Sequence, residues 1–166
     1  MSALFVGLNH HQQVMIFGAC LMYDEMIISF QWLFSNFLDC MKGKEPTTLF
    51  TDQDVAIAAA IKSKFSSTYH VLCTWHLRLN AEEHIGSISR TQEFKDHMMY
   101  LFYHVDTVEE FDIAWVPMIE ECFPGVDVKS GTYWLSRFLK LREKWCSEWL
   151  KRNFTAGMTT TQHAGQ

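Results

Sequence analysis

The chain has 166 residues, 48% of them hydrophobic and 20% charged, with a net charge of −5. That is a globular composition with enough apolar residues for a core. No apolar run reaches the roughly 18 residues of a membrane span, and no basic region precedes an apolar one at the N-terminus, so neither a span nor a signal peptide is expected. The five cysteines are odd in number, widely spaced and free of CxxC pairs, which argues against a disulfide framework and for a reducing compartment. Charge is unevenly distributed: −1 over residues 1–80, −9 over 81–128 and +5 over 129–166. A free-standing DNA binder is usually basic overall, so DNA contact by this chain would be local or supplied by other domains. Solvated helix faces account equally for both charge blocks.

Residues 4–8 predict a short strand, 9–13 a polar turn and 14–22 a second strand apolar on both faces, together an antiparallel hairpin. Asp24 then stands where a helix cap is wanted. Met26, Ile27, Phe30, Leu33, Phe34, Phe37, Leu38 and Met41 recur at spacings of three and four, predicting an amphipathic helix over 25–41 that ends at Gly43. Pro46 closes the linker. A β-prone run at 47–51 stops at Asp52-Gln53-Asp54, and an Ala-rich helix follows over 55–64. Residues 69–72 predict another strand, and Cys73-Thr74-Trp75-His76 opens the next helix. From there the pattern is helical, with candidates at 91–103, 107–121, 131–139 and 140–152. Pro117 predicts a kink or early stop, and Pro124-Gly125 a loop. The pattern is that of an α/β or α+β fold, and the expectation is α/β, with strands 4–8, 14–22, 47–51 and 69–72 in one mixed sheet and helix 25–41 on one face. A partial core over 1–84 would be followed by a helical lobe over 85–166.

Two small groups of residues could carry chemistry. Asp52 and Asp54 lie where a strand ends and a helix begins. Carboxylates at strand ends are how nucleases hold Mg²⁺, since hard cations prefer oxygen. An aspartate there is also a natural N-cap, bonding free N–H groups of the first turn. Cys73-x-x-His76 supplies two ligands of the four that structural zinc requires, with His70 the nearest third, or else a buried thiol and a hydrogen-bonded imidazole. There is no glycine-rich nucleotide loop and no Gly-x-Ser-x-Gly elbow. The six tryptophans suit a core better than base stacking.

Five segments together resemble the transposase domain of plant Mutator-like elements and of the far-red impaired response family of transposase-derived transcription regulators. Phe5-Val6-Gly7-Leu8-Asn9-His10-His11 is similar to the family's F-V-G-V-N-H-H, and Ser29-Phe30-Gln31-Trp32-Leu33-Phe34 to S-F-x-W-L-F. Thr51-Asp52-Gln53-Asp54-Val55-Ala56 is similar to T-D-Q-D-x-A, and Leu72-Cys73-Thr74-Trp75-His76 to L-C-x-W-H. The segment from Phe154 to Gln162 is similar to F-x-A-G-M-S-T-T-Q. They occur in family order along nearly the whole chain.

The resemblance implies a ribonuclease H-like fold with a helical insertion, and in active relatives an Asp–Asp–Glu set that binds Mg²⁺. Asp52 matches the second acid, with Asp54 beside it as a further oxygen of a remnant Mg²⁺ site. Cys73 and His76 match the family's structural Cys-x-x-His. The family's first Asp lies on a strand upstream of the Asn-His-His turn, so the sheet is expected to lack its first strand. The final Glu falls at Gly165. The zinc domains of full-length members have no counterpart here, so no cofactor is expected in this chain and zinc belongs to flanking domains. The resemblance therefore implies a noncatalytic, nuclear regulator of transcription acting as a scaffold. Its partners would be proteins of the same family, as homo- or heterodimers, with DNA met mainly through other domains and no membrane contact. The alternatives are a Mutator-type transposase fragment that cleaves and joins DNA, and a truncated relic.

Overall fold

The computed structural model describes residues 2–9, 11, 13–125 and 133–158, with the side chain of Tyr133 left aside. It forms two compact units, one built on Met1–Cys73 and joined by the described residues from Ala156 on, the other on Thr74–Thr155. The first contains β1 (Ser2–Leu8), β2 (Val14–Leu21), α1 (Ile27–Cys40), β3 (Thr48–Thr51), α2 (Val55–Lys64) and β4 (Tyr69–Leu72). The described elements of the second are all helical: α3 (Thr74–Ile85), α4 (Gln92–Tyr103), α5 (Val108–Cys122), α6 (Tyr133–Lys140) and α7 (Ser147–Lys151), with 3-10 turns at Ile88–Arg90 and Arg142–Lys144.

The hairpin forms as its polar turn predicts. The Asn9 side-chain oxygen accepts from the backbone N–H groups of His11 (2.8 Å) and Gln13 (3.0 Å), an Asx-type turn that reverses the chain. β1 and β2 pair antiparallel, and the register slips between Phe5, opposite Gly18, and Val6, opposite Ile16. Phe17 is thus a bulge residue. Its ring lies so close over Gly7 that a Cβ there would come within 2.8 Å and push the ring aside.

α1 buries Phe30, Leu33 and Phe34, the i, i+3, i+4 stripe read from the sequence. Phe5 of β1 stacks on Phe37 with centroids 4.5 Å apart, and Phe34 meets Phe65, beyond α2, at 4.8 Å. Ala60, Ile61 and Met22 complete this core, with Leu49 packed against it. Asp24 acts at the start of α1, accepting from Met26 N–H (3.1 Å) and the Ser29 hydroxyl (2.5 Å). At the other end Lys42 and Gly43 take positive φ, and Gly43 N–H reaches the Leu38 carbonyl at 2.8 Å, closing the helix in a glycine-stop motif.

Three expectations need correction. The four strands do not join one mixed sheet: among the described residues β1–β2 form an antiparallel pair and β3–β4 a separate parallel pair. Alternation in sequence fixes which face of a strand is apolar, not which edge it offers to a neighbour. Of the two outcomes expected at Pro117, a kink or an early stop, the early stop does not occur, since α5 continues to Cys122. The carbonyl the proline leaves unpaired is that of Ile113, a residue 72% exposed, where water can take the bond. The run 140–152 is not one helix. Trp145, Cys146, Ser147 and Glu148 are all buried in succession, which no straight amphipathic helix allows, so the chain passes through a 3-10 turn before α7.

Burial of those four residues organises the second unit. Trp145 is fully buried, stacks on Phe138 at 4.1 Å and donates its indole N–H to the Phe138 carbonyl at 3.0 Å. Phe102 meets its edge at 5.6 Å and Phe111 lies at 5.9 Å. The Ser147 hydroxyl donates to the Val105 carbonyl at 2.6 Å, tying α7 to the α4–α5 connection. Trp115 and Trp134 are buried too, as a core role requires, whereas Trp32 and Trp75 are exposed. Trp145→Ala should cost about 3–5 kcal/mol, the range for removing a fully buried large aromatic. Chemical denaturation followed by tryptophan fluorescence and circular dichroism would measure it.

A carboxylate clamp shapes the first unit. Glu45 accepts from the Ser67 N–H (2.8 Å) and hydroxyl (2.8 Å) and from the Ser66 hydroxyl (3.3 Å), fastening the linker before β3 to the loop before β4. These bonds, the Ser67 N–H first, hold its carboxyl below the ordinary glutamate range. A carboxyl depressed in the folded state stabilises it above the unfolded pKa, and that contribution is lost as pH falls through the folded value. The stability gap between the parent and Glu45→Gln should therefore be widest near neutrality and close toward acid. Thermal melts of both across the acid range would test this.

Candidate metal-binding and strand-end site

The parallel pairing of β3 with β4 places every candidate residue of the first unit. The register runs from Thr48 opposite Tyr69 to Thr51 opposite Leu72. Backbone bonds extend it at both ends, Tyr69 N–H to Thr47 at 2.9 Å and Cys73 N–H to Thr51 at 2.8 Å. Asp52 and Cys73 each follow the last paired residue of neighbouring strands. They stand at the carboxyl end of a parallel pair, where α/β folds place their ligand sites.

Asp54 is the N-cap of α2, its carboxylate accepting from Ile57 N–H at 2.8 Å. The geometry shows Asp54 in the helix-cap role, through one carboxylate oxygen. Asp52 is half-buried, and its side chain accepts from Asp54 N–H at 3.2 Å, so it shapes the turn that delivers the cap. Asp52 thus orders Asp54, and Asp54 starts the helix.

His70 is buried on β4, and its Nε2 lies 2.8 Å from the Thr51 hydroxyl. The same hydroxyl lies 2.8 Å from the Asp52 carbonyl. This Thr51–His70 bond crosses the strand pair beneath Asp52. No motif spacing announced it, because the partners are 19 residues apart and meet only through the register.

Cys73 is fully buried at the end of β4. His76 lies in the first turn of α3, its ring 4.7 Å from that of Trp75, with Nδ1 buried and without a hydrogen-bond partner among the described residues. No group of three or more His, Cys, Asp or Glu side chains that could hold a metal ion occurs among the described residues. Two-metal phosphoryl transfer uses carboxylates converging from several elements. No reaction step can be routed through such a set from the described residues. Gly165, the position of the family's last acid, and His10 lie outside the described residues. Burial pushes the Cys146 thiol up to about 12, so it stays protonated and is no nucleophile. No helix among the described residues is long and apolar enough to cross a membrane.

Thr51-Asp52-Gln53-Asp54 at one strand-to-helix turn and Cys73-x-x-His76 after the neighbouring strand are segments that resemble a transposase-type domain. Residues 1–80 match the family model of the MULE transposase domain, and this part of the chain belongs to that family. Nearly the whole chain is related to a group of Arabidopsis thaliana proteins named for the far-red response. It is 32% identical to FAR1-RELATED SEQUENCE 7 over 156 residues, which is 94% of this chain and 20% of that protein. It is 31% identical to FAR-RED IMPAIRED RESPONSE 1 over 163 residues, 98% of this chain and 19% of that protein. It is also 31% identical to FAR1-RELATED SEQUENCE 12 over 156 residues, 94% and 19% respectively. The chain thus spans about a fifth of the length of these relatives. No solved structure matches it.

Removing the cap isolates its contribution. Asp54→Ala should destabilise the chain by about 1 kcal/mol, and Asp54→Asn, which can still accept the Ile57 bond, by clearly less. Urea denaturation of the three proteins would measure both.

Proposed function

We propose that this chain is a noncatalytic, transposase-derived module of a plant nuclear protein that regulates transcription, where it serves as a scaffold and interaction surface. The observation that carries the reading is the state of the Asp-x-Asp pair. Asp54 gives its carboxylate to Ile57 N–H at 2.8 Å, and Asp52 gives an oxygen to the turn that positions Asp54. Carboxylates engaged in building a helix start stabilise a fold. A two-metal centre instead needs carboxylates directed at ions that flank a phosphodiester.

In this reading the domain keeps a ribonuclease H-like ancestry, with the helical unit as its insertion lobe. Cys73 and His76 serve structure at the strand–helix junction. Mg²⁺ belongs to active relatives and zinc to other parts of full-length family members. DNA is met mainly through those other parts, and the partners are proteins of the same family. The relatives' far-red names support a regulatory setting.

The test is an incubation of the chain with Mg²⁺ or Mn²⁺ and a labelled duplex bearing transposon-end sequence. No cleavage or strand transfer is expected, and Asp52→Ala should leave that result unchanged. Nicking or joining that disappears in Asp52→Ala would establish the metal-dependent transposase reading instead.

A further inference from the structure

The clamp that fastens the β3–β4 pair closes on one serine. Ser66 and Ser67 lie in the short segment between α2 and β4, and both are exposed. One oxygen of Glu45 accepts from both the Ser67 N–H and the Ser67 hydroxyl, each at 2.8 Å. The other accepts from the Ser66 hydroxyl at 3.3 Å. These bonds hold the Glu45 carboxyl below the ordinary range, so it is ionised at neutral pH. No Lys or Arg among the described residues forms an ion pair with it. Its charge is met by N–H and O–H donors of the loop, and Ser67 supplies the two shortest bonds.

The same segment carries the features by which a modifying enzyme finds a hydroxyl. α2 ends at Lys64, and Phe65 has already left helical geometry, with φ −118° and ψ 79°. The residues from there to β4 form a loop rich in small polar side chains, the kind of segment that enzymes engage. Lys62 and Lys64 stand in the last turn of α2, five and three positions before Ser67. Residues 55–81 contain three Lys or Arg and no Asp or Glu, although the whole chain carries −5. A locally basic approach of this kind draws an enzyme with an acidic cleft, and charge patterns around the target are how protein kinases choose substrates. Ser63 stands between the same lysines, but it is wound into α2, and its hydroxyl accepts from Gln31 Nε2 at 3.0 Å. Ser66 has its lysines two and four positions away and the longer bond to Glu45. Ser67 combines the lysine three positions before it with the closest hold on the carboxylate.

We infer that Ser67 is a phosphorylation site for a basic-directed serine/threonine protein kinase, and that the phosphate opens the Glu45 clamp on the β3–β4 pair. The γ-phosphoryl group of ATP passes to the Ser67 oxygen. That oxygen bonds to phosphorus, the bond from phosphorus to the β-phosphate oxygen breaks, ADP leaves, and the hydroxyl proton goes to the catalytic aspartate of the kinase. A donor is thereby replaced by a group carrying about −1.5 to −2 charges at neutral pH. It stands where the hydroxyl lay 2.8 Å from an ionised carboxylate, and like-charge repulsion drives the two apart. That end of the pair is then left to the Thr68 hydroxyl, bonded to the Pro46 carbonyl at 2.7 Å, and the Tyr69 N–H, bonded to Thr47 at 2.9 Å. Strands of four residues have few ladder bonds to resist the loss. This control of the strand pair stands whether or not the chain cleaves DNA, so the cleavage assay does not decide it.

The test is incubation of the folded chain with ATP, Mg²⁺ and a calcium-dependent serine/threonine protein kinase that reads a basic residue three positions before its target. Mass spectrometry of the digested product should place the phosphate on Ser67, and Lys64→Gln should slow its incorporation roughly fivefold or more. The phosphorylated chain should melt about 2–4 °C below the unmodified one. Its amides in 48–51 and 69–72 should exchange with solvent roughly fivefold faster. In Glu45→Gln the same phosphate should produce less than half of either effect, because the repelling charge is gone. If Lys64→Gln fails to fold, the site mapped on the parent chain decides the first claim. A chain left unmodified, or modified only elsewhere, overturns the inference. So does a phosphate on Ser67 that changes neither melting nor exchange, or one that changes them equally in Glu45→Gln.

Discussion

Everything in the first unit that resembles a site depends on the parallel pairing of two four-residue strands, β3 and β4. Strands this short contribute few ladder bonds, and parallel pairs are slightly weaker per residue than antiparallel ones. The pair is therefore pinned from outside. Glu45 ties the entry to β3 to the serines before β4, and the Thr68 hydroxyl donates to the Pro46 carbonyl at 2.7 Å. Thr51 and His70 add a side-chain bond across the strands near the other end. With the pair clamped at both ends, Asp52 and Cys73 emerge side by side in register, and α2 starts from a fixed point.

That arrangement accounts for the structural part that the Asp-x-Asp pair plays. A carboxylate just past a strand end is close to the first free N–H groups of the following helix, and those groups attract an oxygen whether or not a cation is present. Asp54 answers that demand directly, and Asp52 does so one step removed. The buried imidazole of His70 satisfies Thr51 in the same economical way. On this view, proposed above, selection on such a domain shifts from chemistry to shape and surface, and the cap and the cross-strand bond are what remain valuable.

The helical unit achieves its stability differently. It concentrates rings: Phe102, Phe111, Phe138 and Trp145 lie with centroids between 4.1 and 6.5 Å of one another along the contacts they share. Offset and edge-on contacts of this kind add to simple area burial. Arg142 sits at their margin, its guanidinium 5.9 Å from the Phe111 ring and 5.6 Å from the Trp149 ring. The basic character of this part of the sequence is thus partly spent on aromatic faces, and partly on ion pairs of Lys151 with Asp106 and Arg152 with Glu148.

The sequence by itself determined the local elements, because their signals are local. The stripe Phe30, Leu33, Phe34 marks a buried helix face, Asn9 a turn, and Gly43 a helix stop, whatever surrounds them. It also marked Asp52, Asp54, Cys73 and His76 as notable, while leaving open what each does. Tertiary structure alone decided the rest. It split the strands into two pairs, since edge pairing is a contest among distant segments. It carried α5 through Pro117, since an exposed carbonyl can turn to water. It broke the last helical run so that Trp145 could be buried, since a core rewards apolar area more than a short helix rewards its own hydrogen bonds. And it gave Asp54 its cap and His70 its threonine, because a side chain's partner depends on what the fold brings within 3 Å and not on the spacing of letters.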